Sequence, residues 1–191
     1  MVLDSDPQLW TTQQTQTAFQ NRWVTVNIDN VALPTDIQYE YTRVDVNGVG
    51  VAVIGFNQAG EILLEREYRH GVGEVIWQLP GGLAEPDEDL IQAGLRELVE
   101  ETGHAPQVVN GDTVRYLGSV WDNPGLGKSV SHLVAAWGLV DTGGIRRDPT
   151  EFVTLHWRSV DWVKDAIRSG QIRERSTIAA MMHILLDELA T

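Results

Sequence analysis

The 191-residue chain contains no cysteine, which excludes disulfides, zinc–thiolate centres and thiol nucleophiles. It is also short of positive charge. Fourteen lysines and arginines face 27 acids, the net charge is −13, and the basic residues never form a run. Gripping a nucleic-acid backbone takes a basic footprint, so DNA and long RNA are not expected partners. Any anionic ligand has to be held by bound cations and a few local arginines. No apolar stretch approaches the roughly 18 residues of a membrane span. The opening MVLDSDPQLW has neither a basic segment nor an apolar one, so a cytoplasmic location is the expectation. What is present is ordinary for a folded domain: 42% apolar residues, and enough length for one domain with a sizeable core and at most a small appendage.

Residues 1–20 are rich in Gln and Thr and are expected to be partly mobile. Residues 23–29 (WVTVNID) and 37–46 (IQYEYTRVDV) alternate as half-buried strands do, with Leu33–Asp36 as the turn between them. Asn47-Gly48 signals a hairpin into 49–56 (VGVAVIGF), an apolar run typical of a strand buried on both faces. Further strands are expected at 61–67 and at about 113–121, 130–140 and 152–157, and VIWQLP leads into a Gly81-Gly82 loop. Two helices close the chain, about 159–168, capped by Ser159, and about 174–189, whose Ile178, Met181, Met182, Leu185 and Leu189 read as a packing stripe.

The stretch richest in chemistry is Gly82–His104, GLAEPDEDLIQAGLRELVEETGH. A helix is expected to begin near Glu88 or Asp89, where acids suit its N-terminal dipole, and to stop at Gly103. Leu90, Ile91, Gly94, Leu95 and Leu98 form its apolar stripe. At 3.6 residues per turn, Glu97 and Glu101 share one side, with Glu100 beside them. Like charges so placed repel by a few tenths of a kcal/mol, a cost that cation binding removes. Mg²⁺ takes oxygen ligands, using one or two carboxylates and filling its other positions with water and substrate phosphate. Arg69 and Arg66 are candidates for the substrate's phosphates or base, because this chain has few cations to offer.

The spacing Gly82, five residues, Glu88, seven residues, then Arg96-Glu97-Leu98-Val99-Glu100-Glu101-Thr102-Gly103 resembles the Nudix box, the signature of hydrolases that cleave nucleoside diphosphates linked to another moiety. His104 departs from it, standing where the family usually has an apolar residue. The resemblance implies an α/β fold, the Nudix-type α/β/α sandwich with a mixed sheet, with N-terminal antiparallel strands added. Residues 48–191 would form the Nudix hydrolase domain. Residues 1–47 would be a tail and strand pair that serves dimerisation, making a homodimer.

The flanks LLEREYRHGVGEVIWQLPGG and LGSVWDNPGLGKSVSHLVAA are similar to those of the ADP-ribose pyrophosphatase branch, which hydrolyses nucleoside diphosphate sugars. By that resemblance Glu97, Glu101, Glu100 and the Gly81 carbonyl hold Mg²⁺ or Mn²⁺, two or three ions per site. Arg96 anchors the carboxylates. Glu151, before the last strand, is the general base or a further ligand, with Asp148 as fallback. Pro124 corresponds to a loop proline associated with ADP-ribose preference, at a longer spacing. Gln78 stands at a substrate-facing position where the branch usually has an acid. Trp77-Gln78 also echoes dinucleoside polyphosphate and capped-RNA hydrolases, so a dinucleoside polyphosphate hydrolase is the enzymatic alternative. A non-catalytic Nudix-fold nucleotide-binding module is the other.

Overall fold

The computed structural model describes residues 7–147 and 152–189. It divides into two units: residues 1–48 with 122–129, and residues 49–121 with 130–191.

The first unit is an antiparallel sheet of β1 (Thr11–Gln20), β2 (Val24–Ala32) and β3 (Gln38–Val46), in that order. Thr11–Gln20, where the sequence reading placed no element, is a full strand. Its polar sequence hides a working edge: Thr15 and Thr17 face Asp29 and Asn27 and donate hydroxyl hydrogen bonds to them at 2.6 and 2.9 Å. Threonine's branched side chain also suits extended backbone. Asp29 is buried and accepts from Arg43 Nε at 2.9 Å, which holds its carboxyl below the ordinary carboxylate range. The loop 122–129 joins this unit through its backbone, with Val44 N–H donating to the Leu126 carbonyl at 2.8 Å and the Tyr41 hydroxyl to that of Gly125. Gly127 is required there, since a Cβ would sit 1.9 Å from the Val44 carbonyl oxygen.

The second unit is built on β4 (Val49–Phe56), whose residues alternate between two cores. Val51 and Val53 pack with Ala93, Leu95 and Leu98 of α1 (Leu90–Thr102). Ile54 and Phe56 lie in a second cluster with Val163 of α2 (Val160–Arg168) and Met181 and Ile184 of α3 (Arg175–Leu189). Helices thus cover both faces of one sheet, an α/β/α sandwich. Its strand order is β12 (Val153–Arg158), β5 (Ile62–Arg69), β4, β10 (Val130–Trp137), β9 (Val114–Trp121). β6 (Glu74–Gln78) pairs with β5, and β7 (Gly81–Ala84) with β4. The β4–β10 pair is parallel and the others antiparallel, so the sheet is mixed.

Two expected elements are corrected. The strand at 130–140 breaks at Gly138, whose φ of +69° ends β10 and starts β11 (Leu139–Asp141), paired with β8 (His104–Pro106). Gly81-Gly82 is not a free loop but the opening of β7.

Candidate active site

Helix α1 starts where Asp89 caps it, accepting from Ile91 N–H at 3.0 Å and Gln92 N–H at 3.1 Å. It ends at Gly103 in the left-handed region (φ +70°). Leu95 and Leu98 point into the core, which leaves Glu97 and Glu101 on the side that meets β7. Glu101 is only 8% exposed, and its Oε2 accepts from Gly81 N–H at 2.7 Å. The Gly81 amide is thus what faces the Glu101 carboxylate. A Cβ on Gly82 would lie 2.6 Å from the Glu97 carboxylate, so strand and carboxylate are in direct apposition.

Arg96 ties the cluster together. Nε and Nη2 form a two-pronged pair with Glu88 at 3.0 Å each. Nη1 reaches Glu97 at 2.8 Å and Glu100 at 3.2 Å, and Nη2 also meets the Leu83 carbonyl at 3.0 Å. These partners raise its pKa further, above an ordinary guanidinium's, and its hydrogen bond holds the Glu88 carboxyl low. The sequence spacing contained Glu88, but not its part as the main counter-ion.

Among the described residues no three acidic or histidine side chains converge into a ready-made ion cage. The donors at hand, Glu97 and Glu101, are oxygen ligands in the number a Mg²⁺ site draws from protein. The Glu97 carboxylate lies where a Cβ on Gly82 would be, so glycine is what lets this oxygen donor sit against the strand. The donor set therefore fits a hard divalent cation.

The two glycines differ in what a side chain would meet. On Gly81 (φ +156°), a Cβ would sit 2.2 Å from the Val51 carbonyl and 2.7 Å from Ala52 Cα, which is backbone that cannot yield. Gly81→Ala is expected to destabilise the fold by about 2 kcal/mol or more. Gly82→Ala meets first the flexible end of Glu97, whose carboxyl atoms are the three nearest. It is expected to leave the thermal midpoint within a few degrees while displacing the carboxylate and lowering activity. Thermal melts and initial rates on the two variants check this contrast.

A cavity of about 320 Å³ adjoins the glycines and is lined by Arg69, Gln78, Gly81, Gly82, Ser131 and Arg175, among others. Arg69 and Gln78 thus meet there as the sequence suggested, but Arg66 does not. Strand alternation sends residues 65, 67 and 69 to one face and Arg66 to the other, where its guanidinium lies 5.2 Å over the buried Trp77 ring. Gln78 is committed to protein groups: its carbonyl accepts from Arg69 Nε at 2.8 Å and its amide donates to Glu67 at 2.9 Å. It positions Arg69. Pro124 belongs to the first unit. Glu151 and Asp148 lie outside the described residues. Sequence reasoning missed Arg147, whose Nε donates to the Glu101 carbonyl at 2.6 Å and whose Nη1 donates to that of Val153 at 3.2 Å. It also missed Arg175 and Ser131.

Glu65 is fully buried next to this network, with Oε1 unbonded among the described residues and Oε2 only 3.5 Å from the Gln78 amide. Burial pushes its carboxyl up from 4.5 to about 7, with Glu67 adding to the rise. Below pH 4.5 the group is neutral whether folded or unfolded. Between about 4.5 and 7 the unfolded chain gives up the proton and the folded one keeps it, so stability falls as pH rises through this window. The loss is on the order of 3 kcal/mol. Glu65→Gln is expected to flatten that slope and to be the more stable protein at pH 8, as urea denaturation at pH 5 and pH 8 would show.

A family profile described as NUDIX domain matches residues 46–180. The chain belongs to the Nudix family. Over 180 residues it is 29% identical to a methanol dehydrogenase activator of Bacillus methanolicus, covering 93% of both chains. Over 171 residues it is 25% identical to an ADP-ribose pyrophosphatase of Bacillus subtilis, covering 89% of both. A crystal structure of an ADP compounds hydrolase superposes with a TM-score of 0.82 at 20% identity, over 95% of each chain, and shares the fold. The resemblance to the ADP-ribose pyrophosphatase branch thus extends over most of the chain, and this Nudix protein is a pyrophosphohydrolase by class.

Proposed function

We propose that this Nudix hydrolase cleaves the pyrophosphate of ADP-ribose, or of a related nucleoside diphosphate sugar, to a nucleoside monophosphate and a sugar phosphate. The observation that carries the reading is the apposition of Glu97 and Glu101 to Gly82 and Gly81, beside a cavity walled by Arg69. Glu97 and Glu101 hold Mg²⁺ or Mn²⁺, two or three ions per site, with Glu100 completing or orienting the set. When bound, the ions supply charge neutralisation at the pyrophosphate and acidify water. The chain's own residues do the rest. The Gly81 amide fixes Glu101, Arg96 restrains Glu97 and Glu100, and Arg69, held by Gln78, meets phosphate oxygens. Glu151 takes the proton of the attacking water or adds a ligand. Residues 1–47 pair two copies into a homodimer, with a mass that sedimentation measures.

The test is incubation with ADP-ribose and Mg²⁺ and chromatography of the products, with Glu101→Gln alongside. AMP and ribose 5-phosphate, lost in the variant, would support the reading. No cleavage by the wild type would sink the ADP-ribose assignment. The alternative is a nucleotide-binding module of Nudix fold without turnover. That reading predicts no product from any nucleotide sugar or dinucleoside polyphosphate.

A further inference from the structure

We propose that Arg66, Arg158 and His156 form an anion site on the face of β5 turned away from the Arg69 cavity, and that its ligand is a phosphate group. The strand register assembles it. Across the β12–β5 ladder Thr154 stands opposite Arg66, His156 opposite Leu64 and Arg158 opposite Ile62; across β5–β6, Trp77 stands opposite Arg66. Residues directly opposite share a face, so these side chains project from one side of the sheet, at its β12 margin. Trp77, itself buried, is their common floor. The guanidiniums of Arg66 and Arg158 each lie 5.2 Å from its ring centre, and the His156 ring lies 4.9 Å from it. Trp162 of α2 closes one side, 5.0 Å from the Trp77 ring and 5.0 Å from the Arg158 guanidinium.

The charges of this patch are one-sided. Among the described residues neither arginine has an acidic partner. Arg66 lies against the Trp77 ring; Arg158 lies against both tryptophans and donates from Nη1 to the Trp157 carbonyl at 3.0 Å. The acids of the surrounding elements are directed or committed elsewhere. Glu65 and Glu67 of β5 and Glu74 of β6 fall on the opposite face of the sheet by alternation. β12 carries none. Asp161 and Asp165 of α2 pair with Lys164 and Arg168 at 3.3 and 2.9 Å. Tyr68, the next residue on this face of β5, has its hydroxyl 3.4 Å from His70 Nδ1. Burial, then the charges of Arg158 and Arg66, hold the His156 imidazole below the ordinary histidine pKa. Arg158 Nε is buried with no partner among the described residues, a donor that a bound ion or water completes. A phosphate offsets the repulsion among these groups and accepts N–H bonds from two planar guanidiniums. With 27 acids on the chain against 14 lysines and arginines, two neighbouring arginines that no described acid neutralises point to an anion from outside.

The NMR signal of the His156 ring proton, identified by its loss in His156→Gln, reads the site in the whole protein. Sodium phosphate is expected to shift it saturably and to raise the midpoint of its titration, because the anion offsets the two arginines. Sodium chloride at matched ionic strength should do neither. Arg66→Ala, at an exposed position, should bind phosphate about tenfold or more weakly than wild type, and Arg66→Glu should abolish the shift. Arg168→Ala, which removes the same charge from an exposed pair on α2, should respond as wild type does. AMP in a parallel titration distinguishes the source of the phosphate. Tighter binding than the inorganic ion assigns the site to a nucleotide's phosphate; equal or weaker binding assigns it to the free ion. A signal that phosphate and AMP both leave in place, that chloride moves equally, or that responds equally in Arg66→Ala overturns the proposal. None of these readings needs turnover, so they stand apart from the ADP-ribose assignment.

Discussion

Glu101→Gln is expected to lower kcat for pyrophosphate cleavage by about 10²- to 10³-fold, the scale seen when one preorganised electrostatic group is removed from a transition state. The substitution keeps the shape of the side chain and an oxygen that can still accept the Gly81 N–H bond at this position, so the fold loses little. What disappears is one negative charge in a site where Glu101 is 8% exposed and charges are poorly screened. Glu100→Gln should cost much less. Its side chain is 39% exposed and it is the outermost partner of Arg96, at 3.2 Å. Initial rates with thermal melts on both variants separate the two roles. Equal losses, or a Glu101→Gln enzyme retaining more than about a tenth of wild-type kcat, would remove Glu101 from the centre of the chemistry.

How much of this was legible in the sequence depended on whether the information was local. Helix α1 was readable because its two ends carry their own signals, Asp89 and Gly103, and its stripe repeats at helical spacing. The Glu97–Glu101 pair followed from that helix. Strand β1 was not readable. Its residues are exposed throughout, so no apolar alternation marks it, and its partners Asp29 and Asn27 lie on another strand. Arg66 and Arg69 illustrate a parity error: three residues apart on a strand, they must face opposite ways, and only one joins the cavity. Glu65 sat in view inside the run ILLE, and an acid in a buried strand is a signal in itself. Arg175 had no such mark. It reaches the site only because α3 packs under the same sheet, a placement set by Met181, Ile184 and their core neighbours rather than by any motif.

Arg96→Ala should lower both the stability of the folded state and turnover. The guanidinium accounts for five hydrogen bonds, two to Glu88 and one each to Glu97, Glu100 and Leu83. Truncation leaves three carboxylates facing one another across its place, and they repel. Removing one member of a fully buried ion pair costs about 3–5 kcal/mol. Arg96 is 27% exposed, so solvent moderates the loss to roughly 2 kcal/mol. For a chain of this length that is a fall of about 4–8 °C in Tm. Arg96→Lys restores charge but not the planar fork that meets both Glu88 oxygens, and should recover only part. The pH dependence has a definite sign. Glu88's carboxyl is held below its ordinary value in the folded protein, so its contribution is present above the unfolded pKa and is lost as pH falls through the folded one. Arg96→Ala should therefore narrow its gap to wild type as the pH is lowered through the acid range. The same change frees Glu97 from its 2.8 Å restraint, so kcat should fall alongside stability. A variant that melts early yet turns over at the wild-type rate would show that Arg96 braces the fold without shaping the site.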